Sequence, residues 1–381
     1  MAMALRLSLP CSKNATFPDT HLPKEPDWSD LPPELICLIS WKIADISDFV
    51  CFRVVCKRWR SAVRASDLAR QLPWIMDNSG SLSKGYLRFY SLLTGKTYTV
   101  NVPLSNSTDK SVMGSAYHYL LTLIRPTSEC SLFNPLTNEE LSLPRAMLLF
   151  PSCVPSALSP GQNSMYVVMS RSRIAHHTPF FLCRPGDRKW TRLEVDPFRS
   201  KDSTELGEFS NEGFTFYNGR CYACDRETGY IKVIDLATLT VTHVLPQPEP
   251  QLSRVSVYLV VSFGVILRVC RYKNYSEKIP CACYFRIYRL ELGHGDGNAM
   301  DPCWVEIDNI SNQFLFLHNI HGCAFRAEDF PGFVGNTIYF SRENCIENTF
   351  QFYRYDIKER KIEVLPAPLN LIHDWFVPSL C

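Results

Sequence analysis

Two cysteine pairs have spacings that a metal ion could use: Cys221-Tyr-Ala-Cys224 and Cys281-Ala-Cys283. A structural zinc site needs four ligands held in tight loops, and no histidine pair accompanies these thiols. The first pair follows Asn218-Gly219 on a strand pattern, where residues three apart point to opposite faces. Buried thiols are therefore expected, and no metal ligand is named. His176-His177 and His318 with His321 are the closest histidine groupings. Nucleophilic catalysis needs a Ser or Cys held against an oriented base, and no such arrangement is present, so these read as surface or turn histidines. Gly293-His-Gly-Asp-Gly-Asn298 follows a strand and precedes no helix, which makes it a loop, not a phosphate cradle. No catalytic or cofactor-binding residue emerges. The bases Arg53, Lys57, Arg58, Arg60, Arg64 and Arg70 would suit phosphate, but five acids between Asp27 and Asp48 precede them and the formal charge is only +2. A solvated face or pairing with an acidic partner fits better, and nucleic-acid binding is not expected.

The elements that would position any site come next. With 46 % hydrophobic residues the chain can bury a real core. Its 16 cysteines are scattered singly, as in a reduced protein of the cytoplasm or nucleus. The most apolar stretch, Val255 to Leu267, is too short to span a bilayer and is followed by Arg268, so no membrane partner is expected.

Residues 1–26 carry Pro10, Pro18, Pro23 and Pro26 and read as a flexible leader. From Asp27 the pattern turns helical. Pro32-Pro33 marks a helix start, Leu35, Ile36, Ile39 and Ile43 recur on one face, and Ser47 is expected to cap a second helix. Val55, Trp59, Ala62 and Val63 then form a third stripe. Some 40 residues of short helices cannot stand alone, so this piece either caps the rest of the chain or docks on a partner. Leu31-Pro32, Glu34, Leu35-Ile36 and the block Val55-Cys56-Lys57-Arg58-Trp59-Arg60 resemble an F-box, with Ile43 where Leu is commoner. The resemblance spans residues 27–66 and implies a three-helix module that binds a Skp-type adaptor and, through it, a cullin scaffold. By matching position it assigns Leu31, Pro32, Leu35, Ile36 and Ile39 to insertion into the adaptor, and Val55, Cys56 and Trp59 to the same joint core.

After a linker at 67–79, helical periods vanish and short aromatic or β-branched runs take over. Turns are expected at Thr94-Gly95-Lys96, Asn134 to Asn138, Pro185-Gly186-Asp187 and Asn218-Gly219. Six runs end alike, at Pro103, Pro144, Pro197, Pro246, Ile307 and Pro366, spaced by roughly 40–60 residues. That repeat is the signature of propeller blades; a β-sandwich would not reuse one ending six times. Loop insertions are expected near 146–163, 271–282 and 293–302. The apolar tail Leu371 to Cys381 is expected to complete the ring or pack near the junction with the helical piece. Segments such as FYSLLTGKTYTVNVP, LFNPLTNEELSLP, FYNGRCYACDRETGYIKVIDL and the final DWFVPSL resemble the plant F-box family with a KIB-type β-propeller. Leu315-Phe316-Leu317-His318 stands where that family commonly ends in Gly, which bears on the local turn.

The fold class expected is thus α+β multidomain, with a small three-helix F-box followed over 80–381 by an all-β propeller of about six blades, with seven as the alternative. The resemblance implies a non-catalytic substrate receptor of a Skp-adaptor/cullin/F-box ubiquitin ligase, capturing a target protein whose contact residues the sequence does not name. A scaffold acting outside ubiquitylation and a propeller enzyme are the alternatives.

Overall fold

A computed structural model of the protein describes residues 27–103, 110–116, 118–124, 126–145, 153–156, 166–170, 180–193, 213–224, 229–248, 254–273, 283–291, 302–318, 321–344, 349–365 and 374–380. The chain divides into two compact units, Met1–Ala69 and Arg70–Cys381.

The first unit holds three short helices, α1 (Pro33–Ser40), α2 (Ile46–Arg53) and α3 (Lys57–Ala62). Pro33 occupies the first helical position of α1, where its missing N–H costs nothing. The cap of α2 is Asp45, not Ser47: its carboxylate accepts from the amides of Ser47 and Asp48 at 2.7 and 3.3 Å. Ile43 lies beyond the end of α1 and Val55 before the start of α3, so neither extends the helical stripe read from the sequence. The basic run likewise does not form one helix, since only Lys57, Arg58 and Arg60 lie on α3.

The second unit is all β. Its sheets, in chain order, begin with β1 (Trp74–Ser81), β2 (Tyr86–Ser91) and β3 (Thr97–Asn101). A second sheet contains β4 (Lys110–Ala116), β5 (Tyr119–Ile124), β6 (Glu129–Asn134) and β7 (Glu139–Leu143). The third has β8 (Cys153–Ser156), β9 (Tyr166–Ser170), β10 (Phe180–Cys183) and β11 (Thr191–Leu193). The fourth has β12 (Phe214–Tyr217), β13 (Arg220–Cys224), β14 (Ile231–Asp235) and β15 (Thr240–Leu245). The fifth has β16 (Arg254–Ser262), β17 (Val265–Lys273), β18 (Cys283–Glu291) and β19 (Cys303–Ile307). The sixth has β20 (Gln313–His318), β21 (His321–Arg326), β22 (Thr337–Asn344), β23 (Thr349–Asp356) and β24 (Lys361–Leu365). A final strand, β25 (Asp374–Phe376), returns to pair antiparallel with β1 and gives the first sheet its fourth strand.

Five of these sheets are plain four-stranded blades of antiparallel strands. The sixth has the order β21-β20-β22-β23-β24, with β20 and β22 parallel. The endings at Pro103, Pro144, Pro246 and Ile307 come at, or within two residues of, the ends of β3, β7, β15 and β19, while Pro197 and Pro366 lie outside the described residues. This succession of small sheets is a propeller, an architecture in which blades bury their faces against one another. One apolar layer joins the fourth and fifth sheets through Tyr222, Cys224, Ile231, Leu259, Cys270 and Leu290. Another joins the fifth and sixth through Val260, Val269, Phe285, Leu317, Ile338 and Phe340.

The outer hairpins share one turn. Ser91, Asn134, Asp235 and Asp356 each begin it, and their side-chain oxygens accept from backbone amides two or three residues on. Gly95, Asn138, Leu239 and Arg360 end it with positive φ, between 54° and 66°. The other expected hairpins turn where the sequence places them, at Pro185-Gly186 and at Asn218-Gly219, whose φ values of 48° and 71° suit a tight two-residue loop.

Two boundaries differ from the sequence reading. The span 67–79 is not a linker throughout, because β1 starts at Trp74 and Arg70 already belongs to the β unit. Arg70 donates to the Ala324 carbonyl at 3.0 Å and its guanidinium lies 4.6 Å from the Phe325 ring centre. His318 is neither a surface nor a turn residue. It is buried, its Nδ1 lies 2.6 Å from the Ser341 hydroxyl, and its ring stacks on Trp375 at 5.4 Å. The expected insertions at 146–163, 271–282 and 293–302 fall largely outside the described residues.

β25 carries the closure. Phe376 is fully buried against Phe89 at 5.1 Å and Trp74 at 6.5 Å. Phe376→Ala is expected to cost about 3–5 kcal/mol, the usual price of emptying a buried aromatic site. Chemical denaturation checks this; a loss below 1 kcal/mol would mean the ring closes by other means.

Candidate partner-binding surface of the helical unit

The helical unit buries Ile36, Ile46, Phe49, Trp59 and Val63, one or two side chains from each short helix or its end. Polar contacts lock the same elements. The Trp59 indole N–H donates to the Trp28 carbonyl at 3.1 Å, and the Phe52 and Trp59 rings lie 4.5 Å apart. The Cys37 thiol donates to the Ala62 carbonyl at 3.1 Å, and Arg53 Nε donates to the Val63 carbonyl at 3.0 Å. Cys56 caps α3, its sulfur accepting from the Trp59 amide at 3.4 Å. The exposed Arg58–Asp30 pair at 3.3 Å adds little, as surface pairs do.

Among the residues the sequence assigns to adaptor binding, Ile36 and Trp59 therefore face the interior of this chain and Cys56 serves as a cap. Pro32, Leu35, Ile39 and Val55 are exposed, and Leu31 is half-buried. Leu35, Leu38 and Ile39 lie at i, i+3 and i+4 and share one side of α1. Sequence reasoning missed Leu38, Trp41, Val50 and Val54, as well as Trp28. The signal was available: Leu35-Ile36-Cys37-Leu38-Ile39 is apolar over more of the helix circumference than one buried stripe requires.

Eight of the 14 exposed large apolar side chains among the described residues fall between Trp28 and Val55. Scattered apolar groups on a surface need no explanation, whereas such a concentration on so small a unit sets it apart from the rest of the described surface.

Cys221 and Cys224 are buried on β13, and among the described residues no group of three or more His, Cys, Asp or Glu could hold an ion. Burial pushes the Cys221 thiol up to about 12 and the Cys323 thiol up to about 11, the latter moderated by Arg70. Burial raises the Cys183 thiol as well, helped by the nearby Asp187 carboxylate. Among the described residues, no helix is long and apolar enough to cross a membrane. His176-His177 and Cys281 lie outside the described residues.

The family model described as KIB1-4 beta-propeller matches residues 89–364. In Arabidopsis thaliana, the putative F-box protein At4g17565 is 23% identical over 95% of this chain and 97% of its own. The putative F-box/kelch-repeat protein At5g24040 is 23% identical over 91% of this chain and 95% of its own. The F-box protein SKIP23 is 22% identical over 83% of this chain and 84% of its own. Among solved structures, the β-propeller domain of Myceliophteria thermophila Cps50 (Swd1) aligns over 83% of this chain and 91% of its own, at 10% identity and a TM-score of 0.43.

Two outcomes follow from this geometry. Ile36→Ala is expected to destabilise the helical unit by about 2–5 kcal/mol, whereas Ile39→Ala leaves it folded; helical circular dichroism across a denaturant series distinguishes them. With raised pKa values, Cys221 and Cys323 stay protonated through pH 8. A thiol reagent at that pH should therefore modify the exposed Cys51 and Cys303 in the native protein and reach Cys221 only on unfolding. Native labelling of Cys221, read by peptide mapping, would contradict its burial.

Proposed function

The chain belongs to the KIB1-4 beta-propeller family, and from that premise we propose that it is the substrate-recognition subunit of a Skp-adaptor/cullin/F-box ubiquitin ligase. The concentration of exposed apolar side chains on α1 and on and just after α2 carries this reading. A surface of Leu35, Leu38, Ile39, Val50, Val54 and Val55 is costly to leave in water, and burying it in an adaptor groove would recover that cost at about 25 cal/mol per Å². The names of the Arabidopsis relatives support the same assignment, since each is described as an F-box protein.

On this reading Pro32, Leu35, Ile39 and Val55 enter the adaptor. Ile36, Cys56 and Trp59 act earlier, by holding the helices in the arrangement that presents them. The propeller captures a target protein, and the cullin scaffold reached through the adaptor brings the conjugating machinery. The chain itself supplies proximity: tethering a target lysine near a charged conjugating enzyme raises its effective concentration without a catalytic group in this subunit. The cytoplasm or nucleus is the compartment proposed, in keeping with free thiols at eleven of the described cysteines.

Co-expression with a Skp-type adaptor followed by size exclusion tests the assignment. The wild-type chain is expected to co-elute one to one with the adaptor. The double change Leu35→Asp with Ile39→Asp should remove the complex while strand circular dichroism stays intact, a loss of at least about 100-fold in affinity for two charges in an apolar seam. Undiminished co-elution of that variant would mean the adaptor is held elsewhere.

A further inference from the structure

The hairpins β12–β13 and β16–β17 turn through two residues each, Asn218-Gly219 and Phe263-Gly264. The backbone does the same thing in both, with φ of 48° and 71° in one and 44° and 94° in the other. Asparagine and glycine enter this left-handed region readily, whereas a bulky side chain there is a genuine outlier. The two tips are neighbours, for the Tyr217 hydroxyl donates to the Gly264 carbonyl at 2.7 Å.

Phe263 is 43% exposed, and Val265 beside it is 37% exposed. The ring is nevertheless held in place, because the Arg326 guanidinium lies 4.6 Å from its centre. That guanidinium is itself half-exposed, and its ion pair is with the exposed Glu328 at 3.7 Å, a contact that is easily exchanged. An aromatic ring stiffened by a stacked arginine, with donors left facing water, has the composition of an interface anchor.

We propose that Phe263, Val265 and Arg326 form the target-gripping point of the propeller, and that they bind a protein segment in which a carboxylate adjoins an apolar side chain. The carboxylate takes the free face of Arg326 in place of Glu328, and the apolar group packs on Phe263 and Val265. The proposal rests on the reading that the propeller captures a target. It explains why strain is kept at a turn where Asn218 shows the relaxed solution.

A random peptide library displayed on phage and selected against the purified full chain tests it, with Phe263→Asn and Arg326→Gln as variants. Selected peptides should carry Asp or Glu beside an apolar residue, and each variant should bind them at least about tenfold more weakly. Phe263→Asn should also leave Tm unchanged or raise it, since Asn suits the left-handed backbone. Four results would overturn the proposal: no enriched peptide, peptides that bind both variants as well as wild type, a lowered Tm for Phe263→Asn, or Phe263-dependent co-sedimentation with phosphatidylserine vesicles in place of peptide binding. Adaptor co-elution is measured on the same samples. Its absence would sink the ligase assignment while leaving the peptide result to be judged separately.

Discussion

A closed ring of blades depends on one weld, and here three residues make it. The β25 backbone pairs with β1 through Trp74↔Phe376, Ile75↔Trp375 and Met76↔Asp374, which places the end of the chain in the first sheet. The Trp375 side chain meanwhile packs against the sixth sheet, on Phe316 at 5.0 Å, Phe352 at 5.9 Å and the His318 ring. Its carbonyl accepts from the Ser115 hydroxyl of the second sheet. One residue thus touches three consecutive blades. Without β25 the β1 strand would present an open edge, the feature that antiparallel proteins most need to hide. The aromatic cluster of Phe314, Phe316, Phe325, Phe330 and Tyr339 gives the weld a rigid seat.

The two units solve opposite problems. The β unit hides its apolar surface between blades and repeats one inexpensive turn to do so, an Asx or Ser side chain bonded to the amides ahead of it and a left-handed residue at the exit. Among its described residues the helical unit has five buried large apolar side chains and eight exposed ones, so its own core is small. Its internal order comes instead from specific polar contacts: the Asp45 cap, the Trp59 indole on a carbonyl, and Cys37 and Arg53 on the carbonyls that close α3.

The strand repeat was readable because outer strands must leave each blade through similar turns, and Asn218-Gly219 or Thr94-Gly95 declare a hairpin locally. Phe263-Gly264 did not, since no propensity argument places phenylalanine at positive φ. The parallel pairing of β20 with β22 was also hidden, because a crossover carries no signature in a run of alternating residues. His318 was misjudged for a related reason: its burial comes from Trp375, some 57 positions away, not from its neighbours. In the helical unit the sequence did not tell which of the apolar residues face inward. Leu35 and Ile36 are adjacent and equally apolar, and only the packing of the helices separates them.

The position of β25 also governs how this chain matures. Its pairing partner β1 leaves the ribosome about 300 residues earlier, which at roughly 5–20 residues per second is some 15–60 s of synthesis. Throughout that interval Trp74, Ile75 and Met76 stand at an unfinished sheet edge, and the seat for Trp375 in the sixth sheet stays empty. The ring therefore closes only after the other blades have been made, and any nascent chain released before β25 carries an adhesive border in place of a closed ring.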